Sequence, residues 1–221
     1  MYIYDAFELT PEYKTTLIEF LKHNANTELG GYRIFDGAFD HLQQNPEEFA
    51  DTIFGLKGYE KDNDLKLSRF LEIGFAHGMT NTILHKFFKF EQIVAVDLIN
   101  PAIGGAPFKA NLRRKNIILI PGDSTSESVV SNVSKFGPYD LILIDANHEY
   151  EYVKKDFYNY IKFLAPKGII LMHDISFPEC PGVMKFWEEI KAKEIYKCEE
   201  FINTDYLTVC GTGMVVIKEE K

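Results

Sequence analysis

The chain has 221 residues with 24 Lys+Arg against 33 Asp+Glu, a formal net charge of −9, and this length suits one globular domain with room for a short extension. At 46% hydrophobic and 26% charged residues it is too apolar for a disordered, highly charged chain and can bury a full core. The acidic balance, with no basic run beyond the isolated pair Arg113-Arg114, argues against nucleic acid or an anionic membrane as the main partner.

No apolar stretch approaches the roughly twenty residues that span a bilayer, and Met1 to Phe7 carries neither a basic nor an apolar leader region, so the expected location is the cytoplasm. Cys180, Cys198 and Cys210 match neither a zinc knuckle nor a disulfide framework and are assigned to packing. Arginine occurs only at Arg33, Arg69, Arg113 and Arg114, a usage consistent with an AT-rich bacterial genome. No repeat or low-complexity segment is present, which removes solenoids, propellers and coiled coils.

In chain order, Thr10-Pro11 opens a helix through Leu21, and a second helical pattern runs from Gly37 to about Leu56 with Glu47 and Glu48 on it. The charged, turn-rich stretch Gly58 to Asp64 reads as a link to the main domain. The texture changes near residue 68, so residues 1–67 form a helical N-terminal extension and 68–221 the main domain. Strands are expected at Phe70 to Ile73, Ile93 to Val96, Ile117 to Ile120, Leu141 to Ile144 and Gly168 to Met172, with helices at Thr80 to Phe88, Tyr150 to Leu164 and Val183 to Ala192. Such alternation of buried-looking strands with helices means right-handed βαβ units in an α/β, doubly wound, mostly parallel sheet. Tyr206 to Cys210 and Met214 to Ile217, around Gly211-Thr212-Gly213, read as a C-terminal antiparallel hairpin that brings the sheet to seven strands.

Ligands of an open α/β sheet bind beyond the carboxyl ends of its strands. After the first strand comes Glu72-Ile73-Gly74-Phe75-Ala76-His77-Gly78-Met79-Thr80, an E-x-G-x-x-x-G loop rather than the G-x-G-x-x-G of dinucleotide binders. Its glycines let the backbone approach a ligand closely, and Glu72 favours a cationic ligand group where a pyrophosphate would need a bare helix N-terminus. The second strand ends in Asp97, where a carboxylate can accept two hydrogen bonds from a ribose diol. The third ends in Pro121-Gly122-Asp123-Ser124, which offers a carboxylate and a hydroxyl to a purine edge.

These residues resemble the first motif and second-strand acid of the class I S-adenosylmethionine-dependent methyltransferases, over roughly residues 68 to 218. The resemblance implies a Rossmann-like methyltransferase fold and S-adenosyl-L-methionine as cofactor. It also implies that the Gly74 to Gly78 loop carries the methionine moiety, Asp97 the ribose hydroxyls, and Asp123 with Ser124 the adenine, with Glu72 and Thr80 counted among the cofactor-binding residues. His77 is a bulky departure from the pattern and is read as shaping the loop.

The fourth strand runs into Asp145-Ala146-Asn147-His148-Glu149-Tyr150 and the fifth into His173-Asp174. Two aspartates at the same mouth repel unless a cation sits between them, and oxygen-rich sites suit Mg²⁺ or another hard divalent ion. His148 is placed to act as general base, with a pKa suited to activating a hydroxyl. A plain turn capping the helix at Tyr150 is the alternative for Asp145 and His148. Asp156, Glu149 and Glu151 are read as solvated or capping acids.

The string from Asp145 through His148, Asp156 and Pro166-Lys167-Gly168 to His173-Asp174 is similar to a branch of metal-dependent O-methyltransferases. That branch acts on sugar hydroxyls of macrolides and related glycans and includes proteins labelled cephalosporin hydroxylases. The resemblance implies Asp145 and Asp174 as Mg²⁺ ligands and His148 as base. Where the branch often has an acid, this chain has His173, either a third metal ligand or a partner of one.

The function so implied is O-methylation of a sugar or glycosylated small molecule, with capsule or lipopolysaccharide sugars among the acceptors, and a homo-oligomer is left open. The segment Gly30-Gly31-Tyr32-Arg33-Ile34-Phe35 is expected to cover the mouth, with Tyr32 and Phe35 able to stack on a sugar. Two rivals stand beside it. An NAD-dependent oxidoreductase also places an acid after its second strand but needs the absent third glycine. A non-catalytic nucleoside-binding module would keep the cleft without turnover.

Overall fold

The computed structural model describes residues 3–25, 44–76, 78–98, 116–204 and 209–218. Two helices come first, α1 (Pro11–Ala25) and α2 (Pro46–Asn63). Then strands and helices alternate as β1 (Arg69–Ile73), α3 (Met79–Phe88), β2 (Gln92–Asp97), β3 (Ile117–Pro121), α4 (Glu127–Ser134), β4 (Tyr139–Ile144), α5 (Tyr150–Tyr160), β5 (Leu164–His173) and α6 (Pro181–Lys191). Two further strands, β6 (Tyr196–Phe201) and β7 (Thr212–Ile217), complete a seven-stranded sheet of order β3-β2-β1-β4-β5-β7-β6. The first five strands are mutually parallel, and β7 runs antiparallel to both β5 and β6. Strand order reverses between β1 and β4, which opens a crevice at their carboxyl ends.

Both parities of each central strand are apolar because each meets a different core. Phe70, Ile93, Leu141 and Ile169 face Leu17 and Leu21 of α1, Phe49 and Ile53 of α2, and Ile83 and Leu84 of α3. Leu71, Val94, Ile142 and Ile170 face Val133 of α4, Phe157 of α5 and Trp187 of α6. Helices on both faces explain the continuous apolar runs, since a strand with one wet face would alternate with polar residues. Helices α1 and α2 form part of one of these two layers and share its core with the sheet.

Several boundaries differ from expectation. The second helix begins at Pro46, not near Gly37, and residues 37–43 lie outside the described residues. The Asn45 side chain accepts from the Glu47 and Glu48 amides at 3.0 and 3.3 Å, and Pro46 supplies a first-turn residue with no amide to satisfy. The charged stretch Gly58–Asp64 is no link: it is the last part of α2 and its cap, closed by Asp64 at φ 50°. Its charges lie on the helix surface, where Lys57 meets Glu60 at 2.7 Å.

The hairpin's first arm is Tyr196–Phe201, not Tyr206–Cys210. Residues 205–208 lie outside the described residues, and Thr212 and Gly213 belong to β7. Lys197, Glu199 and Glu200 mark β6 as an edge strand, where charges deter pairing with other chains and mask the apolar signal. The helix from Tyr150 ends at Tyr160 and tightens into a 3₁₀ turn, and β5 starts at Leu164 rather than Gly168. Helix α4 was not expected. No helix among the described residues is long and apolar enough to cross a membrane.

Candidate functional site

The crevice is built by backbone crossings at the ends of β1, β2 and β4. Gly74 leaves β1 at φ +93°, and a Cβ there would lie 1.9 Å from the Asp145 carbonyl oxygen. The Gly74 amide donates to Val96 at 2.9 Å and the Asp145 amide to Ile73 at 2.8 Å, which extends the sheet ladder by one step on each side. Only glycine fits where the two strand ends converge this closely. Asp97 then turns back, and its Oδ2 accepts from the Phe75 and Ala76 amides, both at 2.8 Å. The acid expected to meet a ribose is thus held in a fixed orientation by the loop expected to meet the methionine.

A cleft of about 520 Å³ lies along this edge. Of the expected site residues, Gly74, Asp97, Asp123, Ser124 and Asp145 line it, together with Leu98, Asn147 and Tyr152. Asp123 Oδ1 accepts from the Thr125 amide and hydroxyl at 2.8 and 2.9 Å, an Asx turn that shapes this end of the cleft. Glu72, Gly78 and Thr80 are not among its lining residues. Glu72 is buried and its Oε2 accepts from the Asn81 side-chain Nδ2 at 2.8 Å, which ties α3 to β1; that oxygen therefore faces the helix rather than the cleft. Gly78 caps α3 in the left-handed region, and Thr80 sits in the first turn of that helix. His77, Tyr32, Phe35 and the pair Arg113-Arg114 lie outside the described residues.

Asp156 corrects an expectation. It is not a solvated acid on α5 but fully buried, and among the described residues only the Ser124 hydroxyl offsets the burial of its carboxyl. Burial, with the nearby Asp123 charge and against the Ser124 hydroxyl, pushes its carboxyl up to about 7. It lies at the Asp123–Ser124 end of the cleft, beside Tyr160, whose hydroxyl donates to the Ser124 carbonyl at 2.6 Å.

At the other end, strand register gathers the second set of residues. Ile144 pairs with Met172, so Asp145 and His173 follow at the same height on adjacent strands. Asp174 turns at φ +62°, and the loop after Asp145 brings His148 back over it. His148 Nε2 lies 3.0 Å from Asp174 Oδ2 and 3.8 Å from Asp145 Oδ1. His173 Nδ1 lies 3.3 Å from Asp174 Oδ1 and 3.5 Å from Asp145 Oδ1. Asn147 forms the turn instead, its side chain accepting from the Glu149 amide at 2.8 Å.

The four groups determine one another's charge. Asp145 and then Asp174 push the His148 imidazole up to about 10. Burial disfavours the His173 cation, but Asp174 and Asp145 outweigh it and raise its pKa. Burial likewise lifts both carboxyls, and the positive charge of His173 with the imidazole contacts reverses this and holds each below the usual range. Two imidazolium protons neutralise two carboxylates here, which is the charge a divalent cation would supply, and metal binding at such sites releases protons.

The donor set fits a divalent ion. His148 Nε2 and Asp174 Oδ1 are buried and make no hydrogen bond among the described residues despite their close neighbours, so these donor atoms lie close without satisfying one another. Two of the four donors are imidazole nitrogens, outside the all-oxygen shell that Mg²⁺ prefers.

Other residues of the site had little signal in the sequence. The buried Gln44 amide donates to Asp145 Oδ2 at 3.3 Å, from just before α2. Glu48 of α2 is buried near His173 and accepts the Asn203 and Gly211 amides at 3.0 and 2.9 Å. Two of the cysteines assigned to packing flank Asp174: Cys180 groups with His148 and Asp174, and Cys210 with His173 and Asp174, each with donor atoms within 4.8 Å. Leu98, exposed at 75%, and Tyr152 offer apolar surface to a ligand in the cleft. Only Leu98 could have been found in advance, by its place directly after the second-strand acid.

Residues 71–175 match the family described as "Methyltransferase domain". Over 54 residues the chain is 41% identical to the uncharacterized protein y4gI of Sinorhizobium fredii, a match that covers 24% of this chain and 6% of that relative. The fold is similar to the O-methyltransferase from Bacillus cereus in complex with S-adenosylhomocysteine, at 17% identity, TM-score 0.59, and coverage of 92% of this chain and 91% of that one. It is similar to the O-methyltransferase TomG from Streptomyces achromogenes, at 12% identity, TM-score 0.61, and coverage of 92% and 90%. It is also similar to the methyltransferase MycE of the mycinamycin biosynthetic pathway, in complex with Mg, S-adenosylhomocysteine and mycinamycin VI, at 17% identity and TM-score 0.55. That match covers 90% of this chain and 54% of the other. With the strand order and the glycine crossing at Gly74, these findings identify residues 71–175 as a methyltransferase domain, on a sheet with the fold of these enzymes.

Proposed function

We propose that the protein transfers the methyl group of S-adenosylmethionine to a hydroxyl of a sugar or glycosylated small molecule. The observation that carries this reading is the junction of two sites at Asp145: a nucleoside-sized cleft ends where a cluster of His148, His173 and Asp174 begins. In this reading the loop from Gly74 to Gly78, backed by Glu72 and Thr80, receives the methionine moiety, Asp97 the ribose hydroxyls, and Asp123 with Ser124 the adenine.

The transfer is an in-line displacement at carbon. The acceptor oxygen bonds to the methyl carbon as the carbon–sulfur bond breaks and its electron pair returns to sulfur. Alignment of these atoms supplies most of the acceleration. His148, half-exposed above the buried Asp174, accepts the hydroxyl proton. A divalent cation held by Asp145, Asp174 and His173, Mg²⁺ in the implication of the resemblance, would acidify that hydroxyl and, by displacing imidazolium protons, return His148 to a neutral base. The acceptor class draws support from MycE, whose complex holds mycinamycin VI.

Residues 1–67 act in this reading as the acceptor cap, and Gln44 supports it by reaching Asp145. The setting we infer is a bacterial cytoplasm and a pathway that decorates sugars, with no nucleic-acid partner.

Calorimetric titration with S-adenosylhomocysteine tests the reading. Micromolar binding that Asp97→Ala abolishes is the expected result; no binding, or binding of NADH in its place, refutes it. Methyl transfer that survives His148→Ala would overturn the assignment of the base.

A further inference from the structure

We infer that the cation site beside the cleft takes a first-row transition ion, with His173 Nδ1 as a direct ligand, in place of Mg²⁺. The inference rests on the methyltransferase reading for the site's role but on the donor atoms themselves for its chemistry. His173 Nδ1 lies 3.3 Å from Asp174 Oδ1 and 3.5 Å from Asp145 Oδ1, and His173, Asp174 and Cys210 offer donor atoms that all lie within 4.8 Å of one another. Metal–ligand bonds of about 2.1 Å give donor–donor edges of about 3.0 Å in an octahedron and about 3.4 Å in a tetrahedron. The observed separations fall on that scale. Asp174 is 2% exposed and its Oδ1 makes no hydrogen bond among the described residues, so a buried anionic oxygen lies unsatisfied beside His173.

Burial separates the roles of the two histidines. The His173 side chain is 4% exposed and the His148 side chain 34%. An acceptor hydroxyl entering from the cleft can reach His148 but not His173, which leaves His173 as a ligand and His148 as the proton acceptor. An imidazole at this position selects among ions. Mg²⁺ holds hard oxygen donors and keeps its waters, whereas imidazole suits Fe²⁺, Co²⁺, Ni²⁺ and Cu²⁺ increasingly in that order, and suits Zn²⁺ as well. The Cys210 sulfur, within 4.8 Å of the His173 and Asp174 donors, makes the neighbourhood softer still.

Mn²⁺ is the probe, since it enters both oxygen and mixed nitrogen–oxygen sites and is visible to pulsed electron paramagnetic resonance. The whole chain, stripped with EDTA and loaded with Mn²⁺, is expected to show the ¹⁴N coupling of a directly bound imidazole. His148→Gln should keep the coupling. His173→Asp should lose it while still binding Mn²⁺, and Mg²⁺ should then displace the Mn²⁺ at least about tenfold more readily than from the unaltered protein.

Wild-type protein that binds Mn²⁺ without nitrogen coupling, or coupling that persists in His173→Asp, overturns the inference. If His173→Asp does not fold, the other pair decides: coupling retained in His148→Gln supports His173, and coupling lost there overturns it. S-adenosylhomocysteine titration on the same samples keeps the two ideas apart. Binding of that ligand without nitrogen coupling refutes the ion assignment alone. Nitrogen coupling that depends on His173, without binding of that ligand, upholds the ion assignment and refutes the methyltransferase reading.

Discussion

Replacing Asp156 with Asn should stabilise the protein, and by an amount that grows with pH. The carboxyl is fully buried, and the Ser124 hydroxyl offsets only part of the cost of its charge. Its pKa moves from the ordinary 3.8 to about 7, with burial the main cause and the Asp123 charge adding to it. The folded state therefore holds this proton more tightly than the unfolded chain does. Its stabilising contribution is complete below pH 3.8, declines as pH rises towards 7, and is gone above that. At about 1.4 kcal/mol per pH unit, the whole decline is about 4 kcal/mol, of which about 2–3 kcal/mol falls between pH 5 and 8. Asn has nearly the same shape and never ionises. Urea unfolding of both proteins from pH 5 to pH 8 should show the advantage of Asp156→Asn widening by about 2–3 kcal/mol, and taking the difference cancels every other titrating group, the histidine cluster included. Parallel curves would refute the reasoning. An advantage that shrinks with pH would show that the carboxylate has a stabilising partner.

Gly74→Ala combines strain at φ +93° with overlap against the Asp145 carbonyl; it should cost about 1–3 kcal/mol of stability and weaken S-adenosylhomocysteine binding at least about tenfold, and unchanged affinity by calorimetry would contradict the close crossing. Glu48→Gln leaves an NH₂ group facing one of the two amides that Glu48 now accepts, so urea unfolding should show a loss of about 1–3 kcal/mol; an unmoved midpoint would mean that α2 does not hold the segment before β7. Asp140→Ala removes the acceptor of the Ser68 and Arg69 amides, both at 2.8 Å, at the amino end of β1. It should lower stability by about 1–3 kcal/mol yet leave cofactor affinity as it was, and a parallel loss of affinity would show that the two ends of the sheet are coupled.

Much of the cleft was legible because its lining residues occur in a local pattern. A buried parallel strand is a short apolar run, and the residue that follows it must face the crevice, so Asp97, Asp123 and Asp145 could be placed from the chain alone. Glu72 shows where that rule stops. It lies within β1, one residue before the end, and strand parity turns it under α3 to Asn81. Asp156 misled for a similar reason: an acid near Tyr152 and Lys155 on a helix looks solvated, and only the position of α5 under the Asp123–Ser124 turn buries it. The edge strand β6 was overlooked because its charges suit a sheet margin and hide its period.

The sequence by itself determined the alternation of strands and helices, the parallel sheet and the acids at its carboxyl edge, because side-chain periodicity and turn chemistry act over a few residues. Tertiary structure decided which strands are neighbours and in what register. The pairing of Ile144 with Met172 sets Asp145 beside His173, and the insertion of β7 between β5 and β6 brings Cys210 to Asp174. It also decided charge. Two aspartates and two histidines spread over thirty positions of the chain acquire their shifted protonation only when folding removes water from between them, since the attraction between such groups grows as the surrounding dielectric falls.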